Sequence, residues 1–358
     1  MTGKRLIRIA AVALGLGSVA AVGVTGRSAL IASLAELVRL RWIWIPAVIV
    51  GESASMAAFA FMMRRLVAAG GIRLGSWPMM ATTYAANALS VSVPLAGPWV
   101  GTAFTFRRFT RQGADAPLAS WSLLAGGVVS SAAVAVLVVA AGTSSGSGAA
   151  IAVAVPLGLL ALGALIGVGV AARRPRLREA LERPTAWLLR LVERLSGRAG
   201  EASAETVRSW SDRLGALRLP ASGWVTVTGL ALANLLADAA VFALSIHATG
   251  AIVPWRALLL VYASGLAAKG LNLTPGGLGV TEGTLGLGLI AAGLHSGQAF
   301  AAVLLYRFAS FWLVAVAGWL VFGWLRRRGR ARPADTSPVL RAPQTPAGKA
   351  RAPIRSFP

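Results

Sequence analysis

The sequence has no cysteine, only two histidines, and charged residues at just 13% of its 358 positions. Without cysteine there can be no disulfide, no thiolate metal site and no thiol redox chemistry. The two histidines and the scattered acids make neither a metal-ligand set nor a catalytic triad, so no metal and no catalytic residue is expected. A glycine-rich phosphate loop is missing too, which excludes built-in ATP hydrolysis as an energy source, and no cofactor motif is present. Acidic residues are scarce beside basic ones, 12 against 35, for a net charge of +23. That excess lies in short loops, a central loop and a tail rather than on a folded basic domain, which argues against a nucleic-acid partner.

What the chain has in quantity is apolar surface: 56% hydrophobic residues and a mean hydropathy of +0.69. A crossing helix needs roughly 20 mostly apolar residues, and clear candidates lie at 6–24, 42–62, 117–141, 150–172, 223–247 and 298–324. The expected fold is therefore an all-α polytopic membrane protein with about six to eight transmembrane helices. The basic start (Lys4, Arg5, Arg8) and the apolar stretch to Val24 resemble a signal peptide. The 19 apolar residues from Leu6 and the lack of a small-x-small cleavage site before Arg27 favour a retained first span.

Basic residues set the orientation. Lys4, Arg5 and Arg8 hold the N-terminus inside, and Arg64, Arg65 and Arg73 hold the next loop inside after two crossings. Arg107, Arg108 and Arg111 claim the inside again, so 77–106 is expected to enter and return as a re-entrant hairpin broken at Pro94-Leu95-Ala96-Gly97-Pro98. The basic 173–222 loop is inside, and Arg326, Arg327 and Arg328 must end inside. Residues 255–294 should then form a second hairpin, entered from outside and broken at Thr274-Pro275-Gly276-Gly277-Leu278-Gly279. Two hairpins of opposite entry make the pattern of an inverted repeat, a transporter pattern in which broken segments meet near the midplane. The alternative is two kinked but ordinary helices. A transmembrane domain over 1–325 is expected, its halves 1–172 and 223–325 joined by the 173–222 loop. That loop, with eleven Arg, six acidic residues and helically spaced Trp187, Leu188, Leu191, Val192 and Leu195, reads as amphipathic interfacial helices. Residues 326–358, with nine basic residues and six prolines, read as a disordered cytoplasmic tail.

Ionisable residues inside apolar segments are the best pointers to function, since each costs on the order of 3 kcal/mol at a helix centre. They are Glu52, Asp238, Lys269, Glu282 and Arg307. Internal ion pairing is the simplest account of them, and for Glu52 the preferred one. Asp238 shares a helix face with Asn234, whereas His247 lies half a turn away and His295 reads as surface. The strongest local signal runs from Leu271 through Asn272, Pro275, Gly276, Gly277 and Gly279 to Glu282 and Gly283. Proline ends one half-helix, glycines admit φ > 0, and a second half-helix starts near Val280 with its amides facing inward, a place suited to a phosphate or carboxylate. Glu282 there could be a competing internal anion, a proton-linked gate, or the partner of Lys269 or Arg307. Gly279 and Gly283 also offer a small-xxx-small packing face.

These motifs resemble the lysylphosphatidylglycerol synthase transmembrane region, or flippase-like domain, family. Pro275-Gly276-Gly277-Leu278-Gly279-Val280-Thr281-Glu282 is similar to its second-half motif, and Asn87 with Pro94-Leu95-Ala96-Gly97 and Arg107-Arg108 to its first-half motif, over roughly residues 5–325. Many members carry an acidic residue after the first-half glycine, where this chain has Pro98. The resemblance implies a stand-alone member in the bacterial cytoplasmic (inner) membrane, both termini cytoplasmic, whose relatives move lysylated or related phospholipids between leaflets. Aminoacylation is not carried over, because those relatives use a separate soluble domain for it.

The leading expectation is lipid or lipid-linked headgroup translocation by a flippase- or scramblase-like protein, not an enzyme, acting on anionic or aminoacylated phospholipids. Asn272, Pro275, Gly276, Gly277, Gly279 and Glu282 would form the central element, with Asn87, Pro94 and Gly97 opposite and Asp238, Lys269 and Arg307 lining the path. The rivals are a non-transporting scaffold for an envelope-lipid synthase and, third, an intramembrane transferase.

Overall fold

The computed structural model describes residue 36 and residues 39–171, 219–271 and 274–330, which are helical with no strand among them. The expected first span at 6–24, residues 173–218 of the central loop and the tail beyond 330 lie outside the described residues, as does Asn272; residues 326–330, expected within the disordered tail, instead continue the last helix.

A short 3-10 turn, Trp42–Trp44, leads into α1, Ile45–Ala68. The chain continues through α2, Ser76–Ser92, α3, Gly97–Arg111, α4, Ala116–Ser144, and α5, Gly148–Ala171. The second half runs through α6, Ala221–Ala248, α7, Trp255–Gly270, α8, Val280–Ala291, and α9, Ser296–Arg307. A π-helical stretch, Phe308–Leu313, joins α9 to α10, Val314–Arg330. Four stretches are long and apolar enough to cross a membrane: Trp42–Ala68, Ala116–Ser144, Ala221–Ala248 and Ser296–Arg328. They coincide with four of the expected spans, and α5 covers the expected 150–172 span as far as Ala171, with Pro156 inside it. Large apolar side chains such as Val50, Leu124, Val225 and Leu320 stand exposed on these helices, as surfaces solvated by lipid tails require.

Helix starts follow local chemistry. Asp115 caps α4 by accepting from the Leu118 amide at 3.0 Å, and prolines occupy the first turns of α1, α3 and α4, where a missing N–H costs nothing.

Each half contains a broken helical hairpin, and its arms are short. α2, α3, α7 and α8 have 17, 15, 16 and 12 residues, less than the roughly 20 a full crossing needs. In the first hairpin, Gly97 abuts the Ser90 carbonyl, and a Cβ on Gly101 would lie 2.8 Å from the Ala86 carbonyl oxygen. The arms are therefore antiparallel and in backbone contact at the tip. The break falls at 93–96, where Leu95 adopts φ 58°, while Gly97 and Pro98 already belong to α3. In the second hairpin Gly265 packs on Leu285 and Gly288 on Val261. Gly283, in contrast, has nothing within 4 Å of a Cβ, so the small-residue face expected at 279 and 283 is not a packing seam. The glycines that seat helices are Gly265, Gly286 and Gly288.

Two large apolar cores result, beside a small one of Leu40, Ala248 and Leu305. One gathers Met62, Leu66, Met79, Phe109 and Leu118 of the first half with Val227 and Ala231. The other gathers Phe242, Ile246, Tyr262, Leu289 and Tyr306 of the second half with Val48 of α1. α1 and α6 meet along small residues: a Cβ on Gly51 would lie 2.8 Å from Val241, and Asn234 donates to the Ser55 carbonyl and hydroxyl at 2.9 and 2.8 Å. Residues from Gly323 onward form a separate unit, within which Arg328 stacks 4.1 Å over Trp324.

Candidate functional site

The break between α7 and α8 is held open by its own backbone. Pro275 begins a 3-10 turn, Pro275–Gly277, closed by Gly277 N–H donating to the Thr274 carbonyl at 3.0 Å. Thr274 Oγ1 donates to the Leu278 carbonyl at 2.7 Å across the turn. Gly276 has φ 59°, and its missing side chain leaves the space the Phe311 ring occupies. Gly279 has φ 84° and precedes the first turn of α8. Only glycine reaches these conformations without strain.

Glu282 answers the exposed N-terminus of α8. Its Oε2 accepts from the Gly279 amide at 2.6 Å, while Oε1 accepts from Arg307 Nε at 2.5 Å. Arg307 comes from the last turn of α9 and is 3% exposed. Its Nη2 donates to the Gly276 carbonyl at 2.8 Å, and its guanidinium lies 4.6 Å over the Phe311 ring. The π-helical stretch after Arg307 brings Phe311 round beneath it, a common use of such bulges. One cation thus ties the 3-10 turn, the start of α8 and the end of α9 together. Of the three roles open to Glu282, the geometry shows two at once: an internal anion on a half-helix N-terminus and the partner of Arg307.

A second polar cluster lies nearby. Asp238 on α6 accepts from Tyr262 at 2.6 Å and from Tyr306 at 3.0 and 3.2 Å. Glu52 on α1 is buried and close enough to Asp238 for the two carboxyls to act on each other. The ion pair expected for Glu52 is absent among the described residues: no cation lies within 4 Å of it, and its close neighbour is another acid. The single turn separating Glu52 from Ser55 on α1 matches that separating Asp238 from Asn234 on α6, so two polar rungs cross the seam.

Between the clusters is a cavity of about one water's size, walled by Tyr262, Gly265, Lys269, Thr281, Tyr306 and Arg307. Thr281 Oγ1 is buried there without a hydrogen-bond partner among the described residues. Among the described residues no three His, Cys, Asp or Glu side chains converge as a metal site.

The structure thus assembles Asp238, Lys269, Pro275, Gly276, Gly277, Gly279, Glu282 and Arg307 in one region. Pro94 and Gly97 sit at the first tip and Asn87 is half-buried on α2. α2 lies against the Pro275–Gly277 turn, but no hydrogen bond joins Asn87, Pro94 or Gly97 to Glu282 or Arg307 among the described residues. His247 stacks edge-on against Trp44 at 4.8 Å, and His295 is exposed. Sequence reasoning missed Tyr262, Tyr306 and Phe311, and it named Thr281 only as part of the Pro275–Glu282 motif, without a role. A signal existed for the tyrosines: the chain has three against eleven Phe and twelve Trp, and all three sit close enough to Glu52 to feel its charge.

Fold and site together define a multi-pass helical membrane protein with paired broken hairpins and a buried ionic centre. Residues 6–318 match the family described as the lysylphosphatidylglycerol synthase TM region, and the chain belongs to that family. Membership ties it to membrane lipids. No curated protein matches the chain.

Proposed function

We propose that this protein moves a phospholipid, or a lipid-linked headgroup, between the leaflets of a bacterial cytoplasmic membrane, without covalent chemistry and without ATP. The observation that carries this reading is the Glu282 carboxylate, which sits on the α8 N-terminus and on Arg307 at once. A lipid phosphate presents the same chemistry, an anion with several acceptor oxygens, and would be held by the same amide and guanidinium once Glu282 swings aside. Lys269 and the Thr281 hydroxyl, which has no partner among the described residues, stand in the adjoining cavity wall and supply a further charge and donor. Acyl tails would stay in lipid, alongside arms too short to seal a complete crossing.

The cargo class this favours is an anionic or aminoacylated phospholipid, with both termini of the protein in the cytoplasm. The test is transbilayer movement of a panel of labelled lipids in proteoliposomes. Headgroup-selective movement is expected, lost in Glu282→Gln and in a Gly276→Ala/Gly277→Ala double variant. Unchanged movement in both variants, with the proteins folded, would overturn this role for the second tip.

A further inference from the structure

Glu52 is 5% exposed, and its Oε2 has no hydrogen-bond donor among the described residues. Burying an acceptor, let alone a charge, with nothing to satisfy it is costly. The contacts of Gly51 with Val241 and of Ser55 with Asn234 bracket Glu52 and Asp238 on the two facing helices, which makes the Asp238 carboxyl a close polar neighbour, and its oxygens are already supplied by Tyr262 and Tyr306. Two neighbouring carboxylates in a low-dielectric interior cannot both be ionised without a large repulsion.

Charge balance around the pair points the same way. Groups close enough to act on Glu52 are Asp238 from α6, Lys269 and Tyr262 from α7, Tyr306 from α9 and Tyr84 from α2. α4, which also packs on α1, has no titratable side chain between 116 and 144. Arg307 is neutralised by Glu282. Lys269 therefore offsets one of the two acids, and the other is neutral only if it holds a proton. A metal cation suits the place less well: Lys269 stands in the adjoining wall, and the cavity admits about one water.

We propose that Glu52 and Asp238 form a carboxyl–carboxylate pair that binds one proton between them, and that this is where a transmembrane proton gradient is coupled to the protein's movement of lipid. The bound state is Glu52–COOH donating to Asp238–COO⁻, with both tyrosines donating to Asp238. Release sends the proton to water and leaves two carboxylates beside one lysine, a state stable only if the α1–α6 seam opens or water enters. The coupling half of this proposal rests on the transport reading above; the proton-binding half does not.

Two measurements on the full chain test it. Infrared difference spectroscopy of the purified protein at neutral pH is expected to show a protonated-carboxyl C=O band, lost in Glu52→Gln and in Asp238→Asn. A wild-type spectrum without that band, or a band surviving in both variants, overturns the shared proton. In proteoliposomes, an imposed gradient of one pH unit is expected to change the rate of labelled-lipid movement by up to about tenfold, the equivalent of one coupled proton. In Glu52→Gln the ratio of rates with and without the gradient should fall to one, whatever the basal rate. Movement indifferent to pH but responsive to a sodium gradient would assign the site to a metal cation and overturn the proposal. Movement indifferent to every gradient overturns the coupling while leaving transport intact. If no lipid moves, transport and coupling both fail, and the infrared band still decides whether the pair holds a proton.

Discussion

Arg307 on α9 and Glu282 on α8 meet at 2.5 Å, with Glu282 also bonded to the Gly279 amide and Arg307 to the Gly276 carbonyl. The pair bridges two elements separated by a short turn and closes over a stretch of backbone that belongs to no regular helix. Removing one partner of a buried pair strands the other's charge, at about 3–5 kcal/mol, whereas replacing both is far milder. Arg307→Met and Glu282→Leu should each lower thermal stability in detergent sharply, and the double variant should recover most of the loss. Additive losses would mean that the two side chains act independently.

The glycines of the second hairpin make a matched pair of controls. Gly276→Ala puts a methyl into the Phe311 ring at φ 59° and should cost about 1–3 kcal/mol. Gly283→Ala fills open space inside α8 and should be neutral or stabilising by up to about 1 kcal/mol. Thermal unfolding of the two variants side by side checks both, and equal effects would contradict the geometry.

Much of this hairpin is legible in the sequence, because proline and glycine act locally: the break at 274–279 and the start at Val280 follow from backbone chemistry alone. The same holds for the long apolar helices and for the face shared by Asn234 and Asp238. What the sequence does not display is which helices become neighbours. Glu52 reads as half of an ion pair until α1 and α6 are seen packed through Gly51 and Val241, which sets it against Asp238 instead. Arg307 was one of two cations open to Glu282, and only the register of α9 against α8 selects it. Phe311 is an ordinary residue for an apolar segment and nothing in its identity marks it, while Thr281 stands in the second-half motif but its buried hydroxyl shows only once α8 is packed.

Tyr262 and Tyr306 both donate to Oδ2 of Asp238. Hydrogen bonds to a charged acceptor are each worth about 1.5–3 kcal/mol, but two donors to one oxygen compensate for each other. Tyr262→Phe and Tyr306→Phe should each destabilise by less than that range, and the double variant by more than their sum. Denaturant or thermal melts of the three variants provide the check, and strict additivity would show that the donors are uncoupled.

The absence of cysteine permits a clean topology test. Single cysteines at Arg73 and Arg111, exposed on either side of the first hairpin, should label from the same face of the membrane. Those at Ile252 and Ser296, exposed around the second, should both label from the other face. Members of either pair labelling from opposite faces would turn that hairpin into a pair of ordinary crossings.

The central claim is that a phosphate takes the place of Glu282 on the α8 N-terminus and Arg307. The most direct measurement compares, in proteoliposomes of wild-type protein, the protein-dependent transbilayer rates of a labelled phospholipid and of an uncharged lipid with the same tails and no phosphate. The account predicts movement of the phospholipid well above that of the uncharged lipid, with the difference abolished in Arg307→Met. Equal rates for the two lipids, or no protein-dependent movement of either, would contradict it.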